Sequence, residues 1–206
     1  YTYRFIATKD GFDVTKFDRY TVALGIDFAV PAFNANDVSG QNASVADLDA
    51  MTSRTSVLDK LITKSVLGSA ATNTNGNEVP YKVFDEKTDT KWCTKSNDQQ
   101  FYIKWKMTEP VTINGYALYT GNDTKSSPSR NPVKWVLKGS NDGKNWTIID
   151  AVSNGNLPTE NQAGAAFNVK NPGRYQYYVM QFLEVKSYEE AKKAYLLQLS
   201  EIKLYQ

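Results

Sequence analysis

The side chains best equipped for chemistry fall in one polar loop. Residues 121–132 gather Asn122, Asp123 and Arg130 just after Tyr119, which lies on the strand leading in. Planar polar groups beside an aromatic face can meet both the donor and the acceptor of each hydroxyl on a hydroxyl-rich ligand, as a sugar site must. Asn97, in a second polar loop at residues 94–99, is a further candidate, and residues 186–195 form a third candidate loop. Composition removes most other chemistry. The 206 residues include no histidine and one cysteine, Cys93. Ser-His-Asp and Cys-His catalysis, HExxH zinc sites, an imidazole switch, an intrachain disulfide and a CxxC knuckle are all excluded. Carboxylate pairs can cleave glycosidic bonds without histidine, but no spacing here sets such a pair across a cleft, so no enzyme is expected. With 24 basic and 22 acidic residues the net charge is +2, too little for a one-signed field that grips nucleic acid.

The elements that must position these residues read as short strands. Phe101, Ile103, Trp105 and Met107 alternate with Tyr102, Lys104 and Lys106, the period-2 pattern of a half-buried strand. Gly115 breaks parity before Tyr116 to Tyr119, as a bulge or bend does. Val133, Trp135 and Leu137 alternate with Lys134, Val136 and Lys138, and the turn Asn141-Asp142-Gly143-Lys144 leads into Trp146 to Ile149. Residues 175–182 are apolar on both faces, as in a central strand, and residues 197–205 read as one closing strand. Ser187-Tyr188-Glu189-Glu190 fits a capping box, predicting a short helix over 187–194. Trp92, Trp146 and Cys93 read mainly as core. Together these segments predict an all-β sandwich.

Residues 1–60 form an N-terminal strand and helix appendage. Alternation predicts strands at residues 1–5 and 20–30, ending at Pro31. Residues 34–44 read as a polar linker, and Ser44-Val45-Ala46-Asp47 as a capping box opening a helix towards Ile62. So few elements cannot bury a core alone. The segment either packs on the sandwich or is the remnant of a neighbouring β domain; the remnant is the preferred expectation, with residues 61–206 forming the sandwich domain.

One run carries a family resemblance. Val83-Phe84-Asp85-Glu86-Lys87-Thr88-Asp89-Thr90-Lys91-Trp92 is followed by Gly139-Ser140-Asn141-Asp142-Gly143-Lys144-Asn145-Trp146 and then by Gln198-Leu199-Ser200-Glu201-Ile202. In that order and spacing the three resemble the discoidin family, also called coagulation factor V/VIII type C domains, and its carbohydrate-binding members above all. The resemblance implies a jelly-roll, galactose-binding-like sandwich with ligand loops at one end. It also implies a calcium ion joining the first motif to the last strand. Carried over residue by residue, Asp85 and Glu201 would supply carboxylates and Thr90 a hydroxyl and a carbonyl. Lys82, Lys87 and Ser200 would supply main-chain oxygens, an all-oxygen set suited to calcium. Two positions depart from the pattern: Glu86 stands where the family has glycine, and Lys87 where it has Asp or Asn.

For function the resemblance implies a non-catalytic carbohydrate-binding module of a secreted or cell-surface bacterial protein. The glycan would be of galactose or N-acetylhexosamine type, and the module could be covalently part of a larger polypeptide. A protein–protein interaction or adhesion module on the same fold is the alternative. Within the family the arginine of such a loop serves either as a ligand contact or as a structural pair with the loop's own Asn-Asp, so Arg130 and Asp123 are open to both roles. Membrane insertion is not expected, since the loop tips offer Lys, Ser, Asn and Asp instead of bare apolar residues. No apolar run approaches the ~20 residues of a membrane helix. No intact signal peptide is read, and a start at Tyr1 is consistent with a processed or truncated chain.

Overall fold

A computed structural model describes residues 27–72 and 77–206. Its strands are β1 (Val45–Ala46), β2 (Leu67–Gly68), β3 (Trp92–Ser96), β4 (Phe101–Thr112), β5 (Gly115–Tyr119), β6 (Pro132–Ser140), β7 (Thr147–Val152), β8 (Gly164–Asn168), β9 (Arg174–Val185), β10 (Tyr195–Leu199) and β11 (Glu201–Tyr205). A five-residue helix, α1 (Leu48–Thr52), sits near the start. Every pairing is antiparallel. A five-stranded sheet ordered β2-β4-β9-β6-β7 faces a four-stranded sheet ordered β1-β8-β5-β11, and β10 and β3 form a separate two-stranded ribbon.

The expected alternation holds at the core. Phe101, Ile103, Trp105 and Met107 are fully buried from β4, and Tyr178, Met180 and Phe182 meet them from β9. Tyr116, Leu118, Phe167, Ile202 and Leu204 answer from the opposite sheet, with Trp135 and Phe167 rings 5.2 Å apart, edge to face. Strand β9 lies in the middle of its sheet, so its apolar character on both faces has a cause. In the β6–β7 turn Gly143 adopts φ +68, and the Asp142 carboxylate accepts from the amides of Lys144 and Asn145. Those bonds hold the Asp142 carboxyl well below the usual carboxylate range.

Four local expectations are corrected. The helix expected from Ser44 begins later: Val45 and Ala46 pair with Phe167 and Ala166 of β8, and Asp47 becomes the cap, accepting from Ala50 N at 2.8 Å. The helix expected over 187–194 is a 3-10 turn at Glu190–Lys192. Here the Glu189 carboxylate is held by Arg130 and Lys193 turns left-handed at φ 50. The closing strand is two strands in different sheets, broken at buried Ser200. Trp146 is half-buried instead of core, with its ring 5.7 Å from that of Phe28.

The described part of the N-terminal segment packs on the sandwich. Residues 27–38 cross the outer face of the five-stranded sheet strand by strand. Asp27 pairs with Lys104 of β4, Pro31 O accepts from Gln181 Nε2 of β9 at 2.7 Å, and Asp37 meets Lys138 of β6 at 2.7 Å. Val38 then packs against Val136 and Ala151. Lys104 and Lys138 are each only 6% exposed, so these carboxylates neutralise otherwise buried charges. Residues 27–30 form no strand, and the remainder of the strand expected at 20–30, like that at 1–5, lies outside the described residues.

Candidate functional site

The first motif and the last strand meet where the resemblance places them. The amide of Lys87 donates to both carboxylates, at 3.2 Å to Asp85 Oδ1 and 3.1 Å to Glu201 Oε2. Thr90 Oγ1 lies 2.9 Å from each Asp85 oxygen and 3.3 Å from the carbonyl oxygen of Lys87. Glu201 has no exposed surface, and its Oε1 has no hydrogen-bond partner. Burial, reinforced by the negative charge of Asp85, pushes the Glu201 carboxyl up from 4.5 to about 8. Glu201 is thus a buried carboxylate with an orphaned oxygen beside a second carboxylate that pairs with Lys82, and the Thr90 hydroxyl and the Lys87 carbonyl add further oxygens. The set therefore fits a hard divalent ion. Among the described residues no three His, Cys, Asp or Glu side chains cluster, so neutral oxygens would complete any shell.

Two of the expected ligands, Lys82 and Ser200, and the departing residue Glu86 have details that only the structure supplies. Lys82 reaches the site with its ammonium, 3.1 Å from Asp85 Oδ2, where its main-chain oxygen was the expected donor. Glu86 sits at φ 59, in the left-handed region, which explains why glycine suits that position. Ser200 is buried, its hydroxyl donating to Thr120 O at 2.7 Å while its amide donates to Tyr119 O at 2.9 Å.

The polar loop leads to a second feature. Alternation along the β3–β10 ribbon puts Cys93, Lys95, Leu196 and Gln198 on its outer face, with Cys93 opposite Gln198 and Lys95 opposite Leu196. A cleft of about 480 Å³ opens there, lined by Thr72, Glu78, Cys93, Lys95, Arg130, Lys192 and Leu196. Cys93 and Leu196, both nearly fully buried, make its floor, and burial pushes the Cys93 thiol up. Arg130 is locked as a fork on Glu189, with Nε–Oε1 at 2.7 Å and Nη2–Oε2 at 3.2 Å, and its Nη1 donates to Gln198 Oε1 at 3.1 Å. That pairing holds the Glu189 carboxyl below its usual range. Asp123 accepts from Lys91 Nζ at 2.7 Å and lies 3.8 Å from Arg130 Nη1; burial opposes its charge, but the two cations hold its carboxyl low. Gly121 permits this packing, since a Cβ there would fall 2.8 Å from Gln198 Nε2.

Of the residues expected at the ligand site, the structure brings Asp123 and Arg130 together, both tied into a structural network, with Arg130 also lining the cleft. Asn122 instead donates to Asp89 O at 2.8 Å, bracing the loop against the first motif. The ring of Tyr119 lies under Lys203 Nζ at 5.0 Å and packs near α1, away from the cleft lining. Asn97 is exposed in the turn after β3 and does not line the cleft either. Of the other lining residues, Lys95 and Lys192 lie in the candidate loops at 94–99 and 186–195 without having been singled out, and sequence reasoning missed Thr72 and Glu78.

A two-sheet antiparallel sandwich with a polar cleft on a side ribbon and paired carboxylates joining an early loop to the last strand has the fold of carbohydrate-binding modules. The chain belongs to the F5/8 type C domain family, whose model matches residues 68–189. Among solved structures it resembles CpGH89CBM32-5 from Clostridium perfringens, in complex with GalNAc-β-1,3-galactose. The TM-score is 0.56 and identity 18%, over 72% of this chain and 97% of that one. It also resembles a mutant of chitosan-binding module 1 from a chitosanase/glucanase of Paenibacillus sp. IK-5, with TM-score 0.53 and identity 14%, over 68% of this chain and 92% of that one. A curated relative, the peptide-N(4)-(N-acetyl-β-glucosaminyl)asparagine amidase of Arabidopsis thaliana, is 26% identical over 153 residues, 70% of this chain. The chain spans about a fifth of that relative's length, 20%.

Proposed function

We propose that the chain is a non-catalytic glycan-binding module whose ligand enters the cleft on the outer face of the β3–β10 ribbon. The observation that carries this reading is a preformed polar cleft, with donors and acceptors fixed by the Arg130–Glu189–Gln198 network, on a fold shared with modules solved with sugars. Preorganised polar groups keep the entropic cost of binding low, and weak single-site affinity becomes useful when a module is tethered to a larger protein. Galactose or N-acetylhexosamine units are the proposed ligands, a secreted or cell-surface bacterial protein the proposed setting. No helix among the described residues is long and apolar enough to cross a membrane.

Calcium is the proposed structural ion, held by Asp85 and Glu201 with Thr90 and main-chain oxygens of Lys82, Lys87 and Ser200. When bound it would supply positive charge beside Glu201 Oε1. A glycan array with a galactose- and N-acetylhexosamine-rich panel, probed in calcium-containing buffer, tests the binding function. Reproducible binding to at least one class is expected, and silence across the panel would reject it.

A further inference from the structure

The cleft is unevenly charged, and the imbalance bears on which saccharide it accepts. Around it, Arg130 is satisfied by Glu189, and Lys91 by Asp123. Glu78 is engaged as well: Thr72 Oγ1 donates to its Oε2 at 3.3 Å, and Lys91 Nζ stands 3.7 Å from its Oε1. Two lysines are left over. Lys95 projects from β3 opposite Leu196, and Lys192 ends the 3-10 turn whose first neighbour, Glu189, pins Arg130. Both are exposed and both line the cleft; among the described residues neither has a carboxylate within ion-pair distance, although the charge of Lys192 also helps hold Glu189 ionised. The apolar floor of Cys93 and Leu196 offers no competing polar partner. The cleft lining includes no aromatic ring among the described residues, so ring stacking does not contribute there.

We infer that this cleft selects a saccharide carrying an anionic substituent, a carboxylate or a sulfate, with Lys95 and Lys192 as the residues that read its charge. The inference rests on the glycan-binding reading above and adds the ligand class. Charge-assisted hydrogen bonds from two ammonium groups at the mouth of a half-enclosed cleft are stronger than neutral ones and respond to salt. They set preference between otherwise identical ligands.

The test is isothermal titration or NMR titration of the calcium-loaded chain with two matched pairs. One pair is galactose and galacturonic acid; the other is N-acetylglucosamine and its 6-sulfate. The carboxylate arm and the sulfate arm distinguish the two sources of charge. The expected result is an anionic member bound on the order of tenfold tighter than its neutral match, the gap shrinking as ionic strength rises past about 0.1 M. In Lys95→Gln/Lys192→Gln, the ratio of affinities within each pair should collapse to near equality. Both sites are exposed, and an unchanged melting curve would confirm the variant's fold. Equal affinity within both pairs, or a preference that survives the double substitution, would overturn the inference and leave the glycan reading standing. No binding to either pair or to the array would overturn both.

Discussion

Without the proposed calcium at Asp85 and Glu201, stability should depend steeply on pH. With no divalent ion bound, Glu201 is buried with one oxygen unsatisfied, and its carboxyl is raised from 4.5 to about 8. At about 1.4 kcal/mol per pH unit that difference corresponds to roughly 5 kcal/mol. Water entry and relaxation reduce it to an expected ~2–4 kcal/mol. Because the folded value lies above the unfolded one, the contribution of neutral Glu201 is fully present below pH ~4.5 and is lost as pH rises through about 8. In chelator, urea midpoints followed by tryptophan fluorescence should therefore fall progressively between about pH 5 and 9, and saturating calcium should restore most of the loss at the alkaline end. Glu201→Gln keeps the shape without the charge, so it should flatten the pH profile in chelator and abolish most of the calcium response. Coincident curves with and without calcium throughout this range, or a slope that survives in Glu201→Gln, would show that Glu201 does not govern the pH dependence.

Other substitutions probe the frame around the site. Asp37→Ala strands Lys138, whose side chain is 8% exposed, and should cost about 2–4 kcal/mol by denaturant unfolding, whereas Asp37→Ala combined with Lys138→Met should recover most of it. Tyr116→Phe removes a hydroxyl that accepts from Trp135 Nε1 at 2.8 Å and donates to Asp150 Oδ2 at 2.6 Å; leaving two buried groups unpaired should cost about 2–4 kcal/mol on the same assay. Glu86→Gly relieves a left-handed φ of 59 and a repulsion on Glu201, and should raise the thermal midpoint, by up to ~1 kcal/mol in stability.

Where periodicity was strong, the fold was legible in the sequence. Phe101 to Met107 alternates cleanly because one face of β4 is core, and residues 175–182 are apolar on both faces because β9 is central and its outer face is covered by residues 27–38. Strand β8 was not legible, since Gly164, Ala165 and Ala166 carry little apolar signal and gain their strand conformation from pairing with β5 and β1. Both capping boxes lost to tertiary contacts: Val45 was taken by β8, and Glu189 by Arg130. The meeting of Asp85 with Glu201 was legible only through the family motifs, because 116 residues separate partners that no local pattern connects. The cleft was hidden for a related reason. Lys95 and Lys192 look like ordinary surface lysines until the β3–β10 register and the 190–192 turn bring them to one opening.

Glycan binding at the outer face of the β3–β10 ribbon is open to direct measurement. Titrating the ¹⁵N-labelled chain with the strongest array ligand in calcium-containing buffer, and following backbone amide shifts, gives that measurement. Saturable shifts centred on Lys95, Leu196, Arg130 and Lys192, with little change across β7 and β8, are the predicted result. Shifts centred on another surface, or none at saturating ligand, would contradict it.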